Sequence, residues 1–435
     1  MSSLAQSPVS VNISRPLTGR FYHPELDVLR FFAFFLAFLH HSLPHHPEFY
    51  SGMGVSPTVA AALAAVGATG AFGVNLFFLL SSYLITELLI RERHRFGHID
   101  LRAFYIRRVL RIWPLYFLFL AFAWVLQWFV PSQHIGWRAG LAFILLGGNW
   151  WVVFVGFPSS VIFPLWSLSV EEQFYIIWPA AMRRLGERGL LWAAAVMLAA
   201  ANLTRWYLAV RHTWESSMWT NSFVQLDAIA LGVALAVLLR GESPRLQPLQ
   251  RAALCAVGVA SFAIAANHFQ IKEDPLTVSR VLLGYVVMAV GAIALFLSAL
   301  GILEGQHRKT GRSNLPAGAK WGKMDGGPHS PAFGKVAERE SVGGSVFAWI
   351  WQIWGRPLIY LGRISYGLYV FHVLGLMITD YAIPHETSSL GRYLFRVAAA
   401  FAITVGFAAI SYRWIETPFL NLKQRFTHIL SRPGG

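Results

Sequence analysis

Charge is scarce in this chain. Only 13% of its 435 residues are Asp, Glu, Lys or Arg, about half the usual share of about 25% in soluble proteins. That poverty excludes a disordered tail and a coiled coil. Cysteine is almost missing as well. The single Cys255 can close no internal disulfide, so a disulfide scaffold is excluded and the redox compartment is unmarked. No GxGxxG, Walker loop, HExxH or paired-cysteine metal motif occurs. Internal repeats are not found, and no stretch reads as a soluble domain. The longest polar stretch, 304–341, is rich in Gly, Pro, Lys and Arg and reads as a flexible cytoplasmic loop, with a substrate-covering role left open.

What is present is apolar. Hydrophobic residues make up 55% of the chain and aromatics 15%, and the mean hydropathy is +0.50. A formal charge of +15 would by itself fit a nucleic-acid binder. The hydropathy points instead to a membrane protein with basic residues in short loops. A spanning helix needs about 20 mostly apolar residues. Ten segments qualify: 29–43, 71–90, 109–130, 139–157, 190–210, 223–239, 252–269, 281–303, 359–381 and 394–410. Segments 57–68 and 342–354 read as interfacial stretches or as extensions of their neighbours. The first span is short, has a polar foot and is not a cleavable signal, since no small-residue cleavage site follows.

With a cytoplasmic N-terminus, this map puts 29 basic residues on the inner side and 7 on the outer, the bias of the positive-inside rule. The expected fold class is therefore all-α: a polytopic integral membrane protein with about ten transmembrane helices and both termini cytoplasmic. The expected organisation is an N-terminal tail (1–20), a membrane domain (21–419) and a C-terminal tail (420–435).

Polar groups within such segments are costly and need a partner or a task. At about 100° per residue, Arg30 and His41 lie within about 20° of one helical face, with His41 about 16 Å beyond Arg30. Asp27 falls within about 40° of His41, whereas His40 points about 80° away from Arg30. A histidine titrates near neutrality and suits a base or acid in a polar tunnel; a structurally paired histidine is the plainer alternative. In FYIRRVLRIWPLY, Arg107, Arg108 and Arg111 sit at one helix mouth, and Arg108 and Arg111 share a face. Guanidiniums so placed suit a polyphosphate, or they simply anchor the helix at the cytoplasmic surface. In PLWSLSVEEQFYIIWP, Ser167 or Ser169 could cap a helix with Glu171 or Glu172 in its first turn. Either carboxylate is a candidate partner of His41; spacing does not choose between them. Asp227 could pair with an arginine. His372 reads as a buried, satisfied histidine as readily as a working one. Arg413 and Glu416, three residues apart, read as a local ion pair.

Taken together, ELDVLRFFAFFLAFLHH, FGVNLFFLLSSYLI, FYIRRVLRIWPLY, LWSLSVEEQFYIIWP and GRISYGLYVFHV followed by YRWIETPF resemble, in order and spacing, the integral membrane acyltransferase family 3 over residues 21–419. That family includes O-antigen, exopolysaccharide and peptidoglycan O-acetyltransferases. Three positions depart from its pattern, with Val28, Phe31 and Ser82 where glycine is common; these changes alter close packing. Some relatives carry an extra esterase-like domain, and this chain reads as the membrane domain alone. The resemblance implies an acyl-CoA donor, typically acetyl-CoA, and no metal. It implies Arg107, Arg108 and Arg111 as the grip on the donor's phosphates. His41 would be the general base with Glu171 assisting, and Arg30 and Asp27 would stand beside them. An acyl-histidine intermediate remains open. The implied partners are the lipid bilayer and a glycan, glycolipid or glycosylated acceptor, with no nucleic acid, and the implied location is the bacterial inner membrane. A transporter or flippase of a lipid-linked sugar or small anion is the rival reading. A second enzyme rival is the other large class of membrane acyltransferases, whose histidine normally lies in a later helix.

Overall fold

The computed structural model describes residues 22–272, 276–302, 346–383 and 389–427. The expected loop 304–341, the tail 1–20 and residues 428–435 lie outside them. Among the described residues every regular element is helical.

Helix α1 (Pro24–Ser42) is built as its sequence directs. Proline opens it, Glu25 and Asp27 occupy its first turn, and His40 and His41 its last, the arrangement that fits both the proline preference for a first turn and the helix dipole. Helix α2 (Pro57–Gly70) starts at a Ser56 side chain that accepts from the Val59 amide. It runs almost directly into α3 (Gly73–Phe96), which stops at Gly97 in the left-handed region, φ +74°. The 57–68 segment thus extends its neighbour. Helix α4 (Leu101–Leu126) is capped by Asp100. Two eight-residue helices follow, α5 (Trp137–Ile144) and α6 (Gly148–Val155), then α7 (Trp166–Arg184). The bundle continues with α8 (Glu187–Val210), α9 (Leu226–Leu239), α10 (Pro248–Asn267) and α11 (Val278–Ala299). It ends with α12 (Val346–Arg363), α13 (Ser365–Ala382), α14 (Leu390–Ser411), a π-helical turn (Tyr412–Glu416) and α15 (Thr417–Gln424).

Among the described residues, six helical stretches are long and apolar enough to cross a membrane, and a seventh counts if Gly355–Arg363 and Ser365–Ala382, bent by 78°, form one broken span. The molecule is thus a polytopic, all-α membrane protein, and its count by length and apolarity is lower than the ten expected. The reasons are local. Segment 139–157 is split where Leu146 takes φ +57°, and each half, at about 12 Å, is too short to span. Helix α9 has 14 residues, about 21 Å. Helix α1 has 19 residues but carries its acidic and basic foot within the helix. The outer helices present apolar side chains outward, among them Trp192, Val196 and Leu203 on α8, each more than 60% exposed. Such an apolar exterior suits lipid.

Helix α1 lies at the centre, packed by α2, α3, α12 and α13. Its Phe34 stacks on Phe401 of α14, and Phe31 and Phe38 meet the same ring edge-on. Close approach is secured by glycine: a Cβ on Gly70 would stand 2.3 Å from the Leu36 carbonyl oxygen, and one on Gly73 2.2 Å from that of Ala33. The Ser82 departure has its own accommodation. Ser82 is fully buried and its hydroxyl donates to the Leu79 carbonyl. A Cβ on the facing Gly232 of α9 would lie 2.0 Å from that hydroxyl. The extra hydroxyl at 82 therefore fits because its neighbour has no side chain.

Candidate active site

Two cavities lie along α1. The first, here the arginine chamber, is lined by Asp27, Arg30, Ser81, Arg108, Arg111, Ser167, Glu171, Tyr175 and Tyr369. The second, the histidine chamber, is lined by His40, His41, Phe157, Phe163, Trp166, Trp219, Lys272 and Tyr369. Tyr369 and Val74 line both, so the two spaces adjoin at these residues.

In the arginine chamber the Arg30 guanidinium donates to Asp27 at 2.9 Å, and Asp27 is only 2% exposed. Arg108 lies over the rings of Phe104 and Tyr175, 5.4 and 5.2 Å from their centroids. Glu171 accepts from Ser81 and from Tyr175, each at 2.9 Å. The Tyr369 hydroxyl meets Ser167 at 2.7 Å and donates to the Pro164 carbonyl at 3.0 Å. Three guanidiniums against two carboxylates, Asp27 being taken up by Arg30, suit a ligand with several negative charges.

The histidine chamber is different in kind. Four of its walls are the rings of Phe157, Phe163, Trp166 and Trp219, and the Lys272 ammonium stands 4.2 Å over Trp219. His40 is tied to the Gly67 carbonyl at 3.0 Å and stacked on His45, so it fastens α1 to α2. His41 turns to α13, where its Nδ1 is 2.9 Å from Nε2 of the fully buried His372. His372 Nδ1 in turn is 2.6 Å from the Tyr369 carbonyl oxygen.

The structure revises several expectations and bears out one, the pairing of Asp227 with an arginine. His41 hydrogen-bonds His372 and not Glu171, because Glu171 sits about one chamber away with Ser81 and Tyr175. Of the two glutamates, Glu171 faces the chamber; Glu172 points to α4 and accepts from the Trp113 indole at 3.0 Å. Neither Ser167 nor Ser169 caps α7, since the helix begins at Trp166 and both serines already lie in its first turn. Arg107 leaves the arginine group: it is buried, paired with Glu92 at 3.0 Å and bonded to the Phe426 carbonyl. Asp227 pairs with Arg205 at 2.6 Å, and Arg205 stacks on Tyr285; this is a buried structural pair. The Arg413–Glu416 pair does not form. The π-helical turn spreads these positions, leaving Arg413 exposed over Trp414 and Glu416 buried beside the Ser411 hydroxyl.

Sequence reasoning did not single out Tyr369, Ser81, Tyr175, Trp219 or Lys272. The first three lie inside the motifs already read, yet apolar spacing alone does not separate a wall tyrosine or serine from a packed one. Trp219 and Lys272 come from connecting segments that carry no motif. Among the described residues no group of three or more His, Cys, Asp or Glu side chains is placed to hold a metal ion.

Comparison with known proteins bears on this geometry. An acyltransferase-domain family matches residues 23–315. A candidate O-acetyltransferase of Staphylococcus aureus is 26% identical over 371 residues, covering 81% of this chain and 53% of the relative. The peptidoglycan O-acetyltransferase OatA of Listeria monocytogenes is 25% identical over 370 residues, covering 80% of this chain and 51% of its own. A candidate peptidoglycan O-acetyltransferase of Bacillus subtilis matches at 25% over 370 residues, with 80% and 50% covered. The chain thus spans about half the length of these relatives. No solved structure matches.

Proposed function

The chain belongs to the acyltransferase 3 family, and from that premise we propose that it is a membrane-embedded O-acyltransferase. The reaction moves an acyl group, most simply acetyl, from cytoplasmic acyl-CoA to a sugar hydroxyl of a cell-envelope glycan, glycolipid or glycosylated metabolite. The observation that carries this reading is the pair of chambers meeting at Tyr369, one rich in guanidinium and the other walled by rings around His41. Peptidoglycan stands among the candidate acceptors because two of the relatives carry it in their names.

The basic side chains gathered at the foot of α1 and the start of α4, Arg30, Arg108 and Arg111, support a cytoplasmic foot for α1 by the positive-inside rule. The arginine chamber then opens toward the cytoplasm. Arg108 and Arg111 hold the donor's phosphates, and Arg30, fixed by Asp27, extends the positive surface inward. Glu171 orders Ser81 and Tyr175 on the opposite wall. The thioester reaches the Tyr369 wall. The acceptor comes from the other side, where a sugar's apolar face lies on Trp219 and Trp166. His41 removes the hydroxyl proton as the oxygen attacks the thioester carbonyl. The C–O bond forms, the C–S bond breaks, and the thiolate leaves with the proton that His41 returns. An acyl group carried on His41 itself is a variant of the same path.

The test supplies labelled acetyl-CoA to membranes containing the full chain. Label is expected on an envelope glycan, lost in His41→Ala and retained per folded molecule in His40→Ala. Retention in both variants removes His41 from the mechanism. Movement of an unmodified sugar or anion with no thioester consumed would favour the transporter reading.

A further inference from the structure

His372 is a fully buried titratable group that the proposed transfer leaves without a task. Its two nitrogens have separate and unequal partners. Nδ1 is 2.6 Å from the Tyr369 carbonyl oxygen, and Nε2 is 2.9 Å from Nδ1 of His41. A carbonyl oxygen can only accept, so Nδ1 of His372 carries a hydrogen. A neutral imidazole has a single N–H, so Nε2 of His372 holds a lone pair. The contact at Nε2 then needs a donor, and the only one it can have is Nδ1–H of His41. His41 in turn is left with its lone pair on Nε2. The Tyr369 carbonyl therefore fixes the proton positions of both rings in series.

The surroundings hold this arrangement in place. Tyr369 is pinned at its other end, by the hydroxyl contacts to Ser167 and Pro164. The His372 ring meets Phe34 edge-on, at 6.2 Å and 80°, and His41 meets Phe163 at 5.2 Å and 77°. If His372 were charged, both its nitrogens would donate. His41 Nδ1 would then have to accept, and its Nε2 would carry the hydrogen, the wrong state for a base.

We propose that His372 is the positioning residue of the transfer: it locks His41 in the Nδ1–H tautomer, so that Nε2 is the base offered to the acceptor hydroxyl. This rests on the O-acyltransferase reading. When Nε2 takes the hydroxyl proton, the His41 ring becomes an imidazolium with hydrogens on both nitrogens, and the His372 lone pair receives its Nδ1–H. When the thiolate leaves, it takes the Nε2 proton, and both rings return to their starting state. No proton passes to His372.

The test combines a spectroscopic and a kinetic readout on the full chain in lipid nanodiscs. With ¹⁵N-labelled histidine, and His41→Gln to assign the signals, His41 is expected to show a protonated Nδ1 and an unprotonated Nε2. A histidine side chain in water prefers the opposite tautomer, so the signature reports the partner. In His372→Leu that signature is expected to be lost. The same variant is expected to lower kcat on the order of 100-fold, the scale of general-base catalysis, with KM for acyl-CoA within about twofold as the check on folding. His372→Gln, whose amide oxygen can accept from Nδ1–H, is expected to recover part of kcat. Protonation of His41 at Nε2 in the wild type would overturn the proposal, as would an unchanged kcat in His372→Leu. If the wild type transfers no acyl group, the O-acyltransferase reading fails, and the nitrogen signals decide the tautomer independently.

Discussion

The two chambers differ in how they hold polarity. In the arginine chamber, charge is met by charge and by rings: Arg30 by Asp27, Arg108 by Phe104 and Tyr175, and Glu171 by two hydroxyls. In the histidine chamber the central groups are imidazoles, ordered by a backbone carbonyl and enclosed by aromatic walls, with the Lys272 ammonium over Trp219 at the edge. The first arrangement suits gripping an anion that arrives already charged. The second suits creating a charge for a moment and then removing it. On the proposed mechanism, separating them keeps the guanidiniums of the first chamber away from a base that must stay unprotonated to act. Tyr369 belongs to both sides, with its hydroxyl in the Ser167 network and its carbonyl on His372.

The sharpest way to test this division is to ask where each chamber ends. Arg107 is next to Arg108 in sequence but is buried against Glu92, outside the chamber. Arg107→Met leaves the Glu92 carboxylate buried without its partner, and breaking such a pair costs about 3–5 kcal/mol. The expected result is a large loss of thermal stability, measured by scanning unfolding in detergent, with KM for acyl-CoA unchanged in the molecules that remain folded. Arg108→Ala should do the reverse. A hydrogen bond to a charged group contributes about 1.5–3 kcal/mol, so KM for acyl-CoA should rise about 10- to 150-fold while the acceptor's KM stays constant. If Arg107→Met and Arg108→Ala act alike, the arginines work as one mouth and the chamber boundary is misplaced.

On the other side, Trp219→Ala removes the ring under Lys272 and one wall of the histidine chamber. An aromatic stacking partner contributes about 0.5–1.5 kcal/mol beyond its buried area. Transfer to a saturating acceptor should therefore survive, with the acceptor's KM raised up to about tenfold and acyl-CoA affinity untouched. Kinetics with donor and acceptor varied in turn would show it. A rise in acyl-CoA KM instead would mean that the Tyr369 wall does not separate the two ligands.

Much of this was legible in the chain. Apolar runs located α3, α4, α8, α10, α11 and α14, because lipid-facing and core-facing sides are both apolar and leave long uninterrupted signals. The same criterion misread 139–157, since hydropathy does not register a left-handed residue at Leu146. Helical spacing placed Arg30 and His41 along one helix, where each now lines a chamber. Spacing could not find the partner of His41, which lies 331 residues away. Nor could it separate Arg107 from Arg108, because the difference is made by Glu92 on another helix. Motif reading assigned Glu171 to His41 by chemical plausibility. What decides its place is Ser81, a residue whose side chain looks like ordinary helix packing until the fold is seen.

The smallest effect is expected at Arg413. It belongs to a motif, YRWIETPF, that the resemblance placed beside the others, and a charge there invites a catalytic or pairing role. The π-helical turn removes the pairing and carries Arg413 away from both chambers. A turn wider than an α-helix carries Arg413 to the outside, over the ring of Trp414, while Glu416 turns inward beside Ser411. Neither chamber includes Arg413. Arg413→Ala should thus leave both Michaelis constants and kcat within about twofold of the wild type, as exposed substitutions usually do. Glu416→Gln, which alters a buried group, should lower stability more than its exposed neighbour does. A loss of transfer in Arg413→Ala at full protein level would show that chemistry extends beyond the two chambers. The contrast between a gripping chamber and a proton-handling one would then need a third site at the C-terminal end of α14.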